Sequence, residues 1–285
     1  MKYKLGLSAE PITNTIDSRL VGVGMIRSEY LCRVCKEYIT TKTCQQFVRD
    51  YVSNVCKLFY PNEVWYRTTE LVVPEINLLK GADDIFEEKH YLLGTRGIRR
   101  AMRYIETFTL ELENLSAVSK EHDNLNVLFP YIYDPKELEV SLEVLNKVKF
   151  SGKYGIMAEI PSTILLLDKF AEQGISNITV GVNDLTSLTL GTFRGEYSDH
   201  THPAVIKLIE LANTIGQKFN IPVSVGGYVS LELKCICEKI GIDSLVVHYS
   251  ALSEVLNIPK AKLEHLQFSK ELKDKYVWYP NEIYS

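Results

Sequence analysis

The chain has 285 residues, 46% of them apolar and 24% charged, with a formal net charge of -4 and a sequence pI near 5.9. It has no long run of lysine or arginine, so its charge pattern does not indicate binding to nucleic acid or to an anionic membrane. Its N-terminus lacks the apolar core of a signal peptide, and no stretch reaches the roughly 20 apolar residues that span a bilayer, so we expect a cytoplasmic protein.

Eight short apolar runs alternate with helical patterns along the chain, as is typical of parallel βαβ units. The predicted strands cover residues 4–8, 20–26, 63–68, 126–132, 153–160, 177–182, 222–226 and 244–248. The segment 134–148 starts with Asp-Pro and repeats apolar residues at spacings of three and four, which predicts an amphipathic helix. Eight such units predict a (β/α)8 TIM barrel, formed as a single domain over residues 1–285. A doubly wound open sheet is the alternative, but LGLSAEP is not the glycine-rich turn that it needs after its first strand.

Two segments fall outside this repeating pattern. Residues 71–93 have no clear periodicity, and we expect an extended loop at the C-terminal face of the barrel, where active-site loops lie. The C-terminal tail, residues 268–285, is aromatic and charged, and we expect it to pack on its own barrel.

Polar residues close several of the predicted strands, and in a barrel these positions face the active site. They include arginines and two carboxylates, with others in the loops that follow: Arg27, Arg67, Arg96, Glu159, Asn183, Asp184 and Arg194. Arginine forks match phosphate and carboxylate oxygens, and paired carboxylates suit Mg2+, which takes further ligands from water and substrate. Each of these arginines alone also fits a solvated surface charge. Together they indicate a site for a small, multiply charged anion.

The segments that carry these residues resemble the phosphoenolpyruvate-utilising enzymes, a family that includes phosphoenolpyruvate synthase, pyruvate phosphate dikinase and enzyme I of the sugar phosphotransferase system. The synthase is the member with the best match. The quoted segments are GVGMIRSEYL, FYPNEVWYRTTE, LLGTRGIRRAMRY, GIMAEIPS and VGVNDLTSLTLG, and the likeness extends over most of the chain. It implies the phosphoenolpyruvate/pyruvate-binding barrel of that family.

The resemblance also implies roles for individual residues. Glu159 and Asp184 take the positions of the family's Mg2+ ligands, and Arg27 and Arg67 those of its phosphate-binding arginines. Arg96 and Asn183 take positions at which the family contacts the phosphate or the carboxylate of the ligand. The chain departs slightly from the family at Thr69-Glu70, where the synthase has Ser-Asp, but this change keeps a carboxylate.

One departure affects the chemistry. In the family, the seventh strand ends in a cysteine that protonates or deprotonates C3 of the pyruvate unit, whereas this chain reads SVGGY, with Gly226 at that position. Glycine has no proton to donate, and such a general acid-base group typically contributes 10²–10⁴-fold in rate. Tyr228 is the nearby candidate for a substitute donor. The sequence therefore predicts binding of phosphoenolpyruvate with very slow exchange of the C3 protons of pyruvate.

Three functions are consistent with these residues. The first is a phosphotransferase of the synthase type, a kinase that moves a phosphoryl group between phosphoenolpyruvate and a histidine on a separate phosphohistidine or ATP-binding protein. The second is a lyase or transferase that forms the enolate of an α-keto acid, and the third is a non-catalytic module that senses phosphoenolpyruvate. The resemblance also implies a homodimer.

Overall fold

The computed structural model describes residues 1–12, 14, 17–194, 198–260 and 263. Eight parallel strands form a closed barrel in sequence order, and β1 pairs with both β2 and β8. The strands are β1 Lys2–Leu7, β2 Leu20–Arg27, β3 Val64–Arg67, β4 Leu125–Phe129, β5 Tyr154–Met157, β6 Ile178–Gly181, β7 Val223–Gly226 and β8 Ser244–His248. The barrel confirms the predicted (β/α)8 architecture, and the pairing of β1 with β8 excludes the open sheet. The predicted tail, 268–285, lies outside the described residues.

Helices connect the strands and cover the outside of the barrel. They are α1 Ser28–Cys35, α2 Lys42–Phe59, α3 Val73–Ile76, α4 Gly97–Arg103, α5 Ile105–Ser119, α6 Pro135–Val148, α7 Pro161–Leu165, α8 Leu167–Ala171, α9 Val182–Leu190, α10 Pro203–Phe219, α11 Leu231–Ile240 and α12 Tyr249–Leu256. Within these described elements, none is both long and apolar enough to cross a membrane.

Helix α6 lies where the sequence predicts a helix, and its ends follow from local chemistry. The Asp134 carboxylate accepts a hydrogen bond from the Lys136 N–H (2.9 Å), and the Glu137 side chain accepts from the Asp134 N–H, which completes a capping box. At the other end Lys149 adopts a left-handed conformation that stops the helix. The predicted loop 71–93 differs in one respect, because α3 forms a short helical turn within it.

The buried apolar side chains form two separate clusters. The larger one combines strand and helix residues and fills the layer between the barrel wall and the surrounding helices. The smaller one consists of strand residues alone, Met25, Trp65, Leu128, Met157 and Val246, and fills the interior of the barrel.

Candidate active site

The strand period places a ring of polar side chains directly above the smaller cluster. Side chains two residues apart on a strand share a face. Each of four inner residues, Met25, Trp65, Met157 and Val246, is therefore followed two positions later by a polar residue that points to the barrel mouth. These four polar residues are Arg27, Arg67, Glu159 and His248.

A cavity of about 220 Å³ opens at this mouth. Its polar lining is Arg27, Arg67, Glu159, Asn183, Asp184, Arg194, Tyr228, His248 and Ser250, and its floor is Gly6, Met25, Met157, Gly181, Gly226, Gly227 and Val246. All the site residues named from the sequence thus line one cavity, except Arg96. Arg96 is buried beside it and contacts the cavity residue Asp184.

Arginines and carboxylates alternate along one side of the cavity in a continuous series of ion pairs. The series, which we call the arginine–carboxylate chain, is Arg27, Glu29, Arg67, Glu70, Arg96, Asp184 and Arg194. Arg67 bridges Glu29 and Glu70, and Arg96 bridges Glu70 and Asp184, from which its Nη1 lies 3.2 Å. The five inner members of the chain, from Glu29 to Asp184, are buried, so removal of one of them would leave its neighbour uncompensated, which is strongly destabilising.

Nearby arginines keep two carboxylates of this chain, Glu29 and Asp184, ionised. Burial alone would raise the pKa of Glu29, but Arg67, Arg27 and Arg33 outweigh burial and hold that pKa well below its usual range. Burial would likewise raise the pKa of Asp184, but Arg96 and then Arg194 lower it to about 2.

Three buried carboxylates meet beside the cavity, and two of them, Glu159 and Asp184, line it. Glu70, Glu159 and Asp184 each offer an oxygen atom, and these atoms lie within 4.8 Å of one another. The Glu159 Oε1 accepts a hydrogen bond from the Tyr131 N–H (2.8 Å), which fixes the orientation of its carboxylate. Burial, with the nearby charges of Glu70 and Asp184, raises the pKa of Glu159 to about 8. We call these three residues the carboxylate cluster.

The cluster has the donor set of a hard divalent cation. Mg2+ binds oxygen ligands at about 2.0–2.1 Å, so two ligand oxygens on opposite sides of the ion lie about 4 Å apart. Adjacent ligand oxygens lie about 3 Å apart, and three ligands can include only one opposite pair. The three oxygens of the cluster lie within 4.8 Å of one another, so they would have to draw closer together around the ion. Each oxygen that accepts from an arginine retains a second lone pair. The residues present therefore fit Mg2+.

Two glycines determine the shape of the cavity floor. A Cβ on Gly181 would lie 2.4 Å from the Glu159 Oε2, so only glycine leaves room for that carboxylate. Gly226, at the position of the expected cysteine, has an ordinary φ, and a Cβ there would lie 3.2 Å from the Val246 Cβ. The next residue, Gly227, has a φ of +115° and turns the chain so that the Tyr228 N–H donates to the Asn183 Oδ1 at 2.9 Å. The Tyr228 side chain is 62% exposed.

Sequence reasoning did not place Glu29, Glu70 or His248 in the site. Glu29 lies within the segment GVGMIRSEYL, and Glu70 belongs to the Thr69-Glu70 pair that replaces Ser-Asp of the family. The resemblance to the family could therefore have identified both residues. His248 ends the eighth predicted strand, and the same rule that selected Arg27 and Glu159 would have selected it.

Comparisons with known proteins show which family and which relatives this chain resembles. The family described as PEP-utilising enzyme, PEP-binding domain, matches residues 7–266. A probable phosphoenolpyruvate synthase of Pyrococcus horikoshii is 28% identical over 257 residues, covering 83% of this chain and 31% of the relative. The phosphoenolpyruvate synthase of Pyrococcus furiosus is 27% identical over the same shares. A probable phosphoenolpyruvate synthase of Archaeoglobus fulgidus is 30% identical, covering 90% of this chain and 37% of the relative. The chain thus spans about a third of the length of these relatives.

Proposed function

Because this chain belongs to the PEP-utilising enzymes, as a PEP-binding domain, we propose that its barrel mouth binds phosphoenolpyruvate or pyruvate together with Mg2+. The observation that carries this proposal is the contact between the carboxylate cluster and a cavity lined by arginines. We do not propose the full activity of the longer relatives for this chain alone. Any step that uses ATP would require a separate partner protein.

The charges around the cavity favour an anionic ligand once a cation is bound. A bound cation favours the ionised form of Glu159. With all four ionised, the carboxylates of Glu29, Glu70, Glu159 and Asp184 balance the guanidinium groups of Arg27, Arg67, Arg96 and Arg194. A divalent cation would leave an excess of two positive charges, which suits a ligand with two or three negative charges.

Arg67 also has a donor available for such a ligand. Its Nε is buried and has no hydrogen-bond partner among the described residues, and its side chain lines the cavity. A buried donor without a partner is costly, so a ligand oxygen at this position would relieve the cost. Arg27, a quarter exposed, lies beside Arg67 in the strand register and offers a second fork to the same phosphate.

In the proposed complex Glu159 and Asp184, with Glu70 beside them, would hold Mg2+. The cation would neutralise negative charge on the carboxylate and enol oxygens of the ligand. Arg27 and Arg67 would bind the phosphoryl group, orient it for attack and stabilise the charge that develops during transfer. Asn183 and Arg194 also line the cavity, where they would contact the ligand's carboxylate.

We propose that the phosphoryl group moves between phosphoenolpyruvate and a histidine of a separate phosphohistidine protein, as in a phosphotransferase of the synthase type. The cavity opens to solvent at the barrel mouth, which would let such a protein approach. A second candidate is a binding module that senses phosphoenolpyruvate, and Gly226 favours it because the expected cysteine side chain is absent from the cavity floor.

Calorimetric titration tests the binding step with oxalate, a planar dianion shaped like the enolate of pyruvate, and with phosphoenolpyruvate. We expect both ligands to bind at least about 10-fold more tightly with Mg2+ than in chelator, because the cation bridges protein and ligand oxygens. Asp184→Asn should remove the Mg2+ dependence. Asp168→Asn, the same change on helix α8 outside the site, should leave it intact. Equal affinity in chelator for the unmodified chain would refute the proposed site.

A further inference from the structure

A fifth buried carboxylate lies at the mouth, outside both the arginine–carboxylate chain and the carboxylate cluster. Glu10 is 0% exposed, in the segment after β1. Its Oε2 accepts a hydrogen bond from the Ser8 N–H, and its Oε1 lies 3.2 Å from Nε2 of His248. A buried carboxylate is strongly disfavoured unless it is hydrogen-bonded or paired, and His248 supplies a side-chain partner that can carry positive charge.

The second nitrogen of the His248 ring faces a hydroxyl group. Its Nδ1 lies 2.8 Å from the Ser250 Oγ. Because Nε2 faces a carboxylate, Nε2 carries a hydrogen, and the neutral ring then accepts the hydroxyl hydrogen of Ser250 at Nδ1. Ser250, His248 and Glu10 therefore form a hydroxyl–imidazole–carboxylate series, an order that allows a proton to move between the hydroxyl and the ring.

His248 also caps helix α12, since its Nδ1 accepts from the Ser250 N–H at 3.4 Å. Capping does not account for the buried carboxylate on the other side of the ring. His202 caps α10 in the same way, through its Nδ1 and the Ala204 N–H at 3.2 Å, but it is not among the residues that line the cavity.

The series opens into the same cavity as Gly226. Gly226 pairs with Val246 on β8, and His248 follows Val246 by two residues on the same face of that strand. A strand rises about 3.3 Å per residue, so His248 lies about 7 Å nearer the barrel mouth than Gly226, where the family has its cysteine. Both His248 and Ser250 line the cavity, and the His248 side chain is 24% exposed.

We propose that Ser250, His248 and Glu10 exchange protons with C3 of the pyruvate unit, in place of a side chain at Gly226. This inference rests on the proposed function. In the protonation direction, Nδ1–H of the imidazolium passes its proton to the Ser250 Oγ as the hydroxyl passes its own to C3 of the enolate. One C–H bond forms, one N–H bond breaks, the ring becomes neutral and Glu10 stays ionised. The reverse sequence removes a C3 proton from pyruvate. This expectation replaces the slow exchange that the sequence alone predicts.

The experiment measures loss of the pyruvate methyl signal in D2O by proton NMR, with Mg2+ and the unmodified chain or a variant. We expect the unmodified chain to exchange these protons faster than Mg2+ in buffer alone. His248→Gln and Ser250→Ala should each lower that rate at least 100-fold, within the range for loss of a general acid-base group. Glu10→Gln should also lower the rate, since the amide cannot stabilise an imidazolium. His202→Gln, the matched capping variant, should not change the rate.

Oxalate titration with Mg2+ on every variant separates the possible failures. Retained oxalate binding in His248→Gln or Ser250→Ala shows that the site is still folded. If the unmodified chain binds oxalate with Mg2+ but shows no exchange above background, the relay is wrong and the proposed function stands. If exchange persists in both variants, or is lost only in Tyr228→Phe, the relay is also wrong. Absence of Mg2+-dependent oxalate binding in the unmodified chain would refute both proposals.

Discussion

The substitution Gly181→Ala is a sharp test of the carboxylate cluster, because it adds one methyl group beside a proposed ligand. The new Cβ would lie 2.4 Å from the Glu159 Oε2 and 2.8 Å from the Glu159 Cβ. Non-bonded carbon atoms prefer separations of about 3.5–4.0 Å, so the carboxylate has to move by about 1 Å. Its other oxygen is held by the Tyr131 N–H, and small rotations therefore do not relieve the clash.

A shift of this size is large for a metal ligand. Mg2+ sites require ligand distances near 2.0–2.1 Å, with a tolerance of about 0.2 Å. Loss of an outer-shell contact to a metal ligand typically costs 10–100-fold in metal affinity, and displacement of the ligand should cost at least as much. We therefore expect Gly181→Ala to weaken Mg2+-dependent oxalate binding by about 100-fold or more.

Gly6→Ala is the matched control in this assay. Gly6 also lines the cavity at a strand end, but its added Cβ would lie 3.5 Å from the nearest atom, an ordinary contact. Both variants should be titrated with oxalate in Mg2+ and in chelator, with circular dichroism to check folding. A folded Gly181→Ala protein with the Mg2+ dependence of the unmodified chain would refute the assignment of Glu159 as a ligand.

Two further predictions concern the surroundings of the site. Arg67→Lys should weaken the binding of phosphoenolpyruvate at least about 10-fold and that of oxalate less, because lysine keeps the charge but loses the fork that matches a phosphate. Calorimetry measures both affinities, and Arg103→Lys, at an exposed arginine, is the control. Equal losses of affinity for the two ligands would contradict the role of Arg67 in binding the phosphate. Burial raises the pKa of Glu111 from 4.5 to about 7. Between these pH values the folded state keeps a proton on Glu111 that the unfolded state has lost. The free energy of unfolding should therefore fall as pH rises from 4.5 to 7, by an amount of the order of 3 kcal/mol. Glu111→Gln should reduce this fall between pH 5 and pH 8 in denaturant titrations, whereas exposed Glu113→Gln should not; an unchanged fall in Glu111→Gln would show that Glu111 is not the group responsible.

The sequence by itself determined the barrel and much of its mouth. Eight apolar runs separated by helical patterns specify parallel strands, and parallel strands bring all their carboxyl ends to one face. The two-residue period then assigns Arg27, Arg67 and Glu159 to the interior side of that face. These inferences depend on local pattern and on one global rule, so they need no coordinates.

The tertiary structure alone decided which charges meet. Glu70 follows β3 in an irregular segment, where no period gives the direction of a side chain, and it joins Glu159 and Asp184 only through the path of the backbone. Glu10 and His248 are 238 positions apart and meet because β1 closes the barrel against β8. The alternation of side chains along a strand predicts which of them point inward. It does not predict their hydrogen-bond partners, because a change of a few tenths of an ångström in the distance between segments remote in sequence decides whether a bond forms.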